Sequence, residues 1–274
     1  MHPGPIGIFD SGFGGLTVFR EIAQALPEYD YIYLGDNARA PYGTRSFDTI
    51  YQYTLEAVKH LFELDCRLVI LACNTASARA LRSIQQKDLP AYGPRHRVLG
   101  VIRPTAERIG EFTRSGNVGL LATPGTVRSE SYVLEIAKLH PEIRVFQEAC
   151  PMWVPLIENN EHRSLGAGFF VNKHLRNLLQ PERQIDAILL GCTHYPLMTD
   201  TIELYLSNPS IHIISQGPIV AHSLADYLQR HPDMDALCTR GGSRRFLTTD
   251  RPEAFDAMAE MFYGTPIASE SIAL

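Results

Sequence analysis

The fold is decided by the stretch LVILACNT at residues 68–75, because its pattern returns as AILLGCTH at residues 187–194. In each copy an apolar run ends at a cysteine, and polar residues follow. An earlier pair keeps the same order: IGIFDSG at residues 6–12 is matched by VGLLATPG at residues 118–125. Two ordered matches at similar spacing indicate a duplicated α/β unit.

Apolar runs of this kind alternate with amphipathic stretches along the chain. Most of the runs lack polar residues, which is typical of strands covered on both faces of a sheet. Leu16, Phe19 and Ile22 recur at helical spacing, and Ser46 can cap a longer helix. The alternation predicts doubly wound parallel sheets. The predicted strands are Ile6–Phe9, Tyr31–Leu34, Leu68–Ala72, Val98–Ile102, Val118–Leu121, Ile143–Phe146, Ile185–Leu190 and Ile211–Ile214.

The duplication also predicts the domain organisation. We expect two similar α/β domains with parallel sheets, related by a pseudo-twofold axis, with an active site in the cleft between them. The first domain would comprise residues 1–102 plus 216–274, and the second would comprise residues 103–215. The predicted crossing is at residues 102–104, and the chain would return at residues 216–218 and pack onto the first domain.

Composition and charge exclude several classes of function. The chain has 274 residues, 45% of them hydrophobic, and a net charge of −5, which argues against non-specific nucleic-acid binding. Its apolar runs are shorter than the roughly 18 residues that span a bilayer. The first five residues lack the basic and apolar regions of a secretory signal. With five cysteines and no C-x-x-C pair, we expect free thiols in the cytoplasm and no membrane partner.

Two of the cysteines occupy equivalent positions in the duplicated unit. In an open parallel sheet, ligands bind beyond the carboxyl ends of the strands, and Cys73 and Cys192 each follow a predicted strand and precede a predicted helix start. A helix N-terminus lowers the pKa of a thiol. One such cysteine could equally be a small buried apolar residue. Two in matching polar contexts indicate function, whereas Cys66, Cys150 and Cys238 lack such a match, and we interpret them as structural.

A reaction that uses one thiol from each half is racemisation, since one base removes the α-proton and an acid delivers a proton to the opposite face. Asn74, Thr75 and Thr193 offer donors that can hold a carboxylate and stabilise a carbanion. Asp10 should lie near Cys73, where its charge disfavours the thiolate. His194 follows Cys192 and, when protonated, favours the thiolate there. The residues therefore predict an amino-acid racemase that needs no cofactor and no metal.

Several motifs, in order over most of the chain, resemble the glutamate racemase family of the aspartate/glutamate racemase superfamily. The matching segments are residues 10–16 (DSGFGGL), 35–36 and 41–43 (GD and PYG), 72–76 (ACNTA), 122–126 (ATPGT), 150–151 with Pro155 and Glu158, and 191–196 (GCTHYP). The resemblance implies interconversion of L- and D-glutamate without pyridoxal phosphate or metal, a homodimer, and a supply of D-glutamate for peptidoglycan and cell-wall biogenesis.

The resemblance also implies roles for individual residues. Cys73 would be the base acting on the D-enantiomer and Cys192 the base acting on the L-enantiomer, with Asp10 and His194 as their assistants. The implied substrate contacts are Asp10, Ser11, Pro41, Tyr42, Gly43, Asn74, Thr75, Thr123, Thr126, Thr193 and His194, and Asp36 and Glu158 would support the site from behind. Arg103, where an acidic or neutral residue is common, and Gln216, within a segment that more usually starts with an acidic residue and serine, depart from the family pattern.

Four alternatives remain open at this point. Residues 12–15 (GFGG) follow a strand, and Asp36 ends the next strand, as in a dinucleotide site, although the last glycine of that fingerprint is Thr17 here. Cys73, Cys192 and His194 could hold a metal, although structural zinc ligands usually come in close pairs. A racemase of the same superfamily could act on aspartate or another small acid. A non-catalytic amino-acid-binding regulator would keep the fold, but it would not need two matched thiols.

Overall fold

The computed structural model describes residues 2–274, in which there are ten β-strands and thirteen α-helices. The strands are β1 Ile6–Asp10, β2 Tyr31–Gly35, β3 Leu68–Leu71, β4 Arg97–Gly100, β5 Asn117–Ala122, β6 Arg144–Ala149, β7 Ala187–Gly191, β8 His212–Ile214, β9 Arg244–Thr248 and β10 Ser269–Ser271. The helices are α1 Gly15–Ala25, α2 Phe47–Glu63, α3 Asn74–Arg79, α4 Leu81–Ser83, α5 Ile102–Arg108, α6 Pro124–Ser129, α7 Ser131–Leu139, α8 Trp153–Glu158, α9 Leu165–Leu178, α10 Thr199–Tyr205, α11 Gln216–Arg230, α12 Pro232–Asp235 and α13 Pro252–Tyr263.

The strands form two parallel sheets, one of six strands in the order β10-β9-β2-β1-β3-β4 and one of four in the order β6-β5-β7-β8. The order β2-β1-β3-β4 corresponds strand for strand to β6-β5-β7-β8. The duplication predicted from the sequence is therefore confirmed, and β1 and β5, like β3 and β7, are equivalent strands. Every residue of β1, β3 and β7 is buried, as expected for sheets covered on both faces.

All eight predicted strands are present, with ends that differ by at most three residues from the prediction. Ser46 caps α2 as predicted, because its hydroxyl accepts the Thr49 N–H at 3.2 Å. The sequence did not predict β9 and β10. Strand β9 begins with two exposed arginines, and β10 has the sequence SES, so neither presents an apolar run.

The return segment completes the first sheet. Strand β9 pairs with β2, and α11 packs against α1 and α5. Strands from residues 6–100 and 244–271 thus form one sheet, and strands from residues 117–214 form the other. The exact domain boundaries, at residues 102/103 and 215/216, stay a prediction. None of the helices within residues 2–274 is both long and apolar enough to cross a membrane.

Candidate active site

A cavity of about 100 Å³ lies where the carboxyl ends of four central strands meet. Ser11 follows β1, Cys73 follows β3, Thr123 follows β5 and Cys192 follows β7, and all four residues line this cavity. The two halves of the duplication therefore contribute equivalent strand ends to one site. The lining residues are Ser11, Gly12, Ala40, Pro41, Tyr42, Gly43, Thr44, Cys73, Asn74, Thr75, Thr123, Pro124, Cys150, Pro151, Val154, Pro155, Glu158, Cys192, Thr193 and His194.

The thiol of Cys73 is held between two donors at the start of α3. Its Sγ lies 3.4 Å from the Ser11 hydroxyl and accepts the Ala76 N–H at 3.4 Å. Burial and the nearby carboxylate of Asp10 raise the pKa of Cys73 to about 12, although the bonds from Ser11 and Ala76 oppose this shift. The predicted lowering of this pKa by the helix start is therefore wrong, because desolvation of the thiolate outweighs the helix amides. Cys73 is a thiol at neutral pH.

Asp10 lies at the end of β1, beneath the cavity wall. Its side chain is almost fully buried, and its Oδ2 accepts the Gly12 N–H at 2.9 Å. Burial raises the pKa of Asp10, whereas the charge of His194 and the Gly15 and Gly12 amides oppose the rise. The prediction that Asp10 lies near Cys73 is confirmed. Asp10 is not among the residues that line the cavity, because the glycine loop packs on its side chain: a Cβ added at Gly15 would lie 2.5 Å from the Asp10 Cβ. Its predicted contact with the substrate stays a prediction.

The second thiol has an imidazole partner. Sγ of Cys192 lies 3.9 Å from Nδ1 of His194, and Nε2 of His194 lies 2.9 Å from a carboxylate oxygen of Glu158. Burial disfavours a charged His194, but its hydrogen bonds to Cys192 and Glu158 outweigh burial and raise its pKa to about 10. His194 is therefore an imidazolium at neutral pH, and a donor points at the Cys192 sulfur. Glu158, implied only by the resemblance, accepts the other ring proton, on Nε2, and so stabilises the imidazolium.

The backbone after Cys192 differs from the prediction. A helix start was predicted directly after this cysteine, but a single 3₁₀ turn at Tyr195–Met198 follows, and α10 begins only at Thr199. Pro196 is the second residue of this turn, which runs directly into α10. The cysteine environments in the two halves are therefore unequal: α3 supplies an amide to Cys73, whereas a histidine side chain faces Cys192.

Residues of the first sheet's half of the molecule pack tightly against His194 and its neighbour Thr193. A Cβ added at Gly14 would lie 2.3 Å from His194 Nδ1 and 2.3 Å from Thr193 Oγ1, so only glycine fits there. The ring of Phe262, on α13, meets the His194 ring edge to face at a centroid distance of 5.1 Å. The Thr17 hydroxyl donates to the Thr193 carbonyl at 2.8 Å. These contacts fix the imidazolium beside Cys192.

Three threonine hydroxyls join the two halves on the other side of the cavity. Thr75 Oγ1 lies 3.0 Å from Thr123 Oγ1 and 3.4 Å from Thr126 Oγ1. Thr75 and Thr123 line the cavity as predicted. Thr126 lies behind them and is fully buried. Its N–H donates to the Thr123 hydroxyl oxygen, and the two hydroxyls lie 3.2 Å apart. Thr126 thus supports the Thr123 side chain, and its predicted contact with the substrate stays a prediction.

The Pro41–Gly43 segment forms the next part of the wall. The Tyr42 hydroxyl donates to the buried carboxylate of Asp36, which also accepts from Arg39 at 2.7 Å and from Thr249 at 2.9 Å. Burial and Asp36 raise the pKa of Tyr42 far above its usual value, so it remains a neutral donor. Asp36 supports the wall from behind, as the resemblance implied.

Sequence reasoning missed part of the apolar wall. Cys150 was interpreted as structural, yet it lines the cavity together with Pro151, Val154 and Pro155. These residues follow β6 and begin α8, so they reach the cavity through the sheet order rather than through a repeated motif. The signal that could have found them is the Cys150-Pro151 segment, one of the motifs that carry the family resemblance.

The geometry also bears on two alternatives. Sites for drug-sized ligands typically measure about 300–1,000 Å³, and the cavity of about 100 Å³ is far smaller than a dinucleotide requires. Phe13 of the glycine-rich loop stacks on Phe255 and Phe262, so the loop is packed against protein. In the described part of the chain, His, Cys, Asp and Glu side chains nowhere form a group of three or more that could hold a metal ion.

Comparison with known proteins matches the chain to racemases. The sequence profile of the Asp/Glu/Hydantoin racemase family matches residues 6–222. A glutamate racemase of Geobacter metallireducens is 39% identical over 94% of this chain and 92% of its own length. The crystal structure of glutamate racemase isoform RacE1 from Bacillus anthracis has a TM-score of 0.89 at 32% identity, covering 99% of this chain and 98% of the other. That of glutamate racemase from Francisella tularensis in complex with D-glutamate has a TM-score of 0.85 at 32% identity, covering 100% and 98%.

Proposed function

This chain belongs to the Asp/Glu/hydantoin racemase family, and we propose that it interconverts L- and D-glutamate with Cys73 and Cys192 as its two acid–base groups. The observation that carries the mechanism is that both strand-end thiols, one from each half, line one small cavity. The choice of glutamate rests on the full-length relatives, which are glutamate racemases.

The protonation states of Cys73 and Cys192 decide which enantiomer each thiol deprotonates. With L-glutamate bound, the Cys192 thiolate removes the α-proton, and the His194 imidazolium at 3.9 Å stabilises the negative charge on that sulfur before the transfer. The Cys73 thiol, protonated because its pKa is raised, then gives its proton to the opposite face of the carbanion. The product state holds a Cys192 thiol and a Cys73 thiolate, which is the state that starts from D-glutamate.

The cavity wall supports binding of an anionic amino acid through hydroxyl and amide donors. Ser11, Asn74, Thr75, Thr123 and Thr193 line it, and the lining residues within the described chain include no Lys or Arg. Hydrogen bonds from neutral donors to a carboxylate strengthen as the neighbouring carbon gains negative charge, so they lower the barrier to carbanion formation. Cys150, Pro155 and their neighbours add an apolar wall, and Cys73 and Cys192 are only 5% and 6% exposed.

A direct test follows the optical rotation of L-glutamate, and in parallel of L-aspartate, with purified protein and no added cofactor. Loss of rotation with glutamate and little change with aspartate supports the proposal. Racemisation of aspartate but not glutamate would favour the alternative substrate, and binding without racemisation would favour the non-catalytic regulator.

The physiological part of the proposal is a supply of D-glutamate for peptidoglycan in the cytoplasm. A bacterial strain that requires D-glutamate tests it: the gene should remove that requirement, and a Cys73→Ala version should not.

We also propose that the chain is a homodimer. Leu165 is 91% exposed and Phe169, one turn later on α9, is 65% exposed, which leaves an apolar surface that a second copy could cover. Light scattering after gel filtration measures the mass.

A further inference from the structure

Asn74 lines the cavity at the start of α3, and its amide closes a ring of three buried side chains. Asn74 Nδ2 donates to Gln216 Oε1 at 2.7 Å. Gln216 Nε2 donates to the Tyr132 hydroxyl, and Tyr132 donates to Asn74 Oδ1. None of the three is more than 3% exposed. The ring joins three segments that are distant in sequence: α3, α7 and the start of α11.

The donors and acceptors permit one direction around this ring. Gln216 Nε2 can only donate, and it also donates to Thr105 Oγ1 at 2.9 Å, whose own proton goes to the Val101 carbonyl at 2.8 Å. The Tyr132 hydroxyl has a single proton and accepts from Gln216, so it gives this proton to Asn74 Oδ1. The oxygen of Asn74 is thereby engaged, and the second N–H of Nδ2 is the donor that Asn74 can offer to the cavity.

We propose that Gln216 and Tyr132 are positioning residues that fix the Asn74 amide so that its remaining N–H meets a carboxylate of the substrate. The inference rests on the proposed function, in which the substrate is an amino acid anion. A carboxylate only accepts hydrogen bonds, so an Asn74 that turned its oxygen toward the cavity would repel it. Gln216 thus has a role although it departs from the family pattern: its neutral amide both donates to Tyr132 and accepts from Asn74, whereas a carboxylate could only accept.

The first test is Tyr132→Phe, which removes one hydroxyl from the ring and keeps the aromatic ring in the core. We expect KM for L-glutamate to rise and kcat/KM to fall about tenfold or more, as for loss of one hydrogen bond to a charged group, since the contact holds the substrate and strengthens in the transition state. Gln216→Glu is the second variant. It keeps an oxygen for Asn74 but takes the Tyr132 proton away from Asn74, and KM should rise in the same way.

A double-mutant cycle separates positioning from general loosening of the core. In an Asn74→Ala background, Tyr132→Phe should raise KM no further, because the group it positions is gone. Tyr31→Phe is the matched control: Tyr31 is 1% exposed and its hydroxyl donates to the Leu26 carbonyl at 2.8 Å, away from the cavity. Thermal unfolding of every variant tests whether it is folded. The cycle can be run with Tyr132→Phe or with Gln216→Glu.

Wild-type KM in both Tyr132→Phe and Gln216→Glu would overturn the inference, and so would a full additional rise in the Asn74→Ala background. A wild-type protein that does not racemise glutamate refutes the proposed function itself. A wild-type protein that racemises, with ring variants that behave like Tyr31→Phe, refutes only the positioning role.

Discussion

Replacement of His194 by asparagine removes the imidazolium beside Cys192 and leaves a neutral polar side chain. Two unit charges about 4 Å apart interact by about 4 kcal/mol at an effective dielectric constant near 20, which bounds the loss at the observed 3.9 Å between Nδ1 and Sγ. A hydrogen bond to a charged group contributes about 1.5–3 kcal/mol net of solvation. We therefore expect a loss near 3 kcal/mol in transition-state stabilisation, or about a hundredfold lower kcat/KM.

The asymmetry of the site appears in isotope effects rather than in kcat/KM. L- and D-glutamate have equal free energies in water, so kcat/KM must fall equally in both directions whichever thiol is impaired. In His194→Asn, proton transfer at Cys192 limits the rate. The primary isotope effect of α-deuterated L-glutamate should then increase, and that of α-deuterated D-glutamate should decrease.

The matched control is His174→Asn. His174 is also a buried histidine bonded to a carboxylate, Glu148 at 2.7 Å, but it lies outside the cavity wall. It should keep wild-type kcat/KM even if it loses as much stability as His194→Asn, which chemical denaturation measures. Wild-type activity in His194→Asn, or isotope effects that change alike for both enantiomers, would refute the role given to the imidazolium.

Three further predictions concern single sites. Cys73→Ala and Cys192→Ala should each abolish racemisation with wild-type circular dichroism, and turnover in either variant measured by polarimetry would contradict the two-thiol mechanism. Gly14→Ala, whose Cβ would lie 2.3 Å from Nδ1 of His194, should lower kcat/KM about tenfold or more by displacing the imidazole. The control Gly166→Ala, whose Cβ would lie 3.5 Å from its nearest neighbour, should keep wild-type activity. Equal activities of the two variants would contradict the claim that Gly14 fixes the position of His194. Burial lowers the pKa of His96 below 6.5, so its contribution to stability is present above pH 6.5 and is lost as pH falls through the lower folded pKa. Between pH 7.5 and 5.5 the free energy of unfolding, measured with urea, should decrease less in His96→Gln than in wild type. An equal decrease in the two proteins would contradict this.

The sequence predicts the central strands well because each of them carries an uninterrupted apolar run, and burial on both faces requires one. It misses β9 and β10 because neither presents an apolar run: β9, between β2 and β10, begins with two exposed arginines, and the edge strand β10 has the sequence SES. Strand order places each thiol at the carboxyl edge of its own sheet, and the packing of the two sheets brings both thiols to one cavity. The sequence predicts the direction of the unequal proton chemistry from Asp10 and His194. Its extent does not follow from the sequence, because burial of Cys73 and the bond that His194 donates to Glu158 arise from contacts between distant segments.

The two-base site is tested most sharply by the fate of the α-proton when L-glutamate is converted in D₂O and the reaction is stopped early. Two thiols on opposite faces predict that the D-glutamate formed carries deuterium from the solvent, delivered by Cys73, while the remaining L-glutamate still carries its original proton. Mass spectrometry after chiral separation reads both populations. D-glutamate that retains the substrate proton would show that one base serves both faces, and deuterium in L-glutamate without inversion would show that a single thiol works; either result would contradict the two-base site.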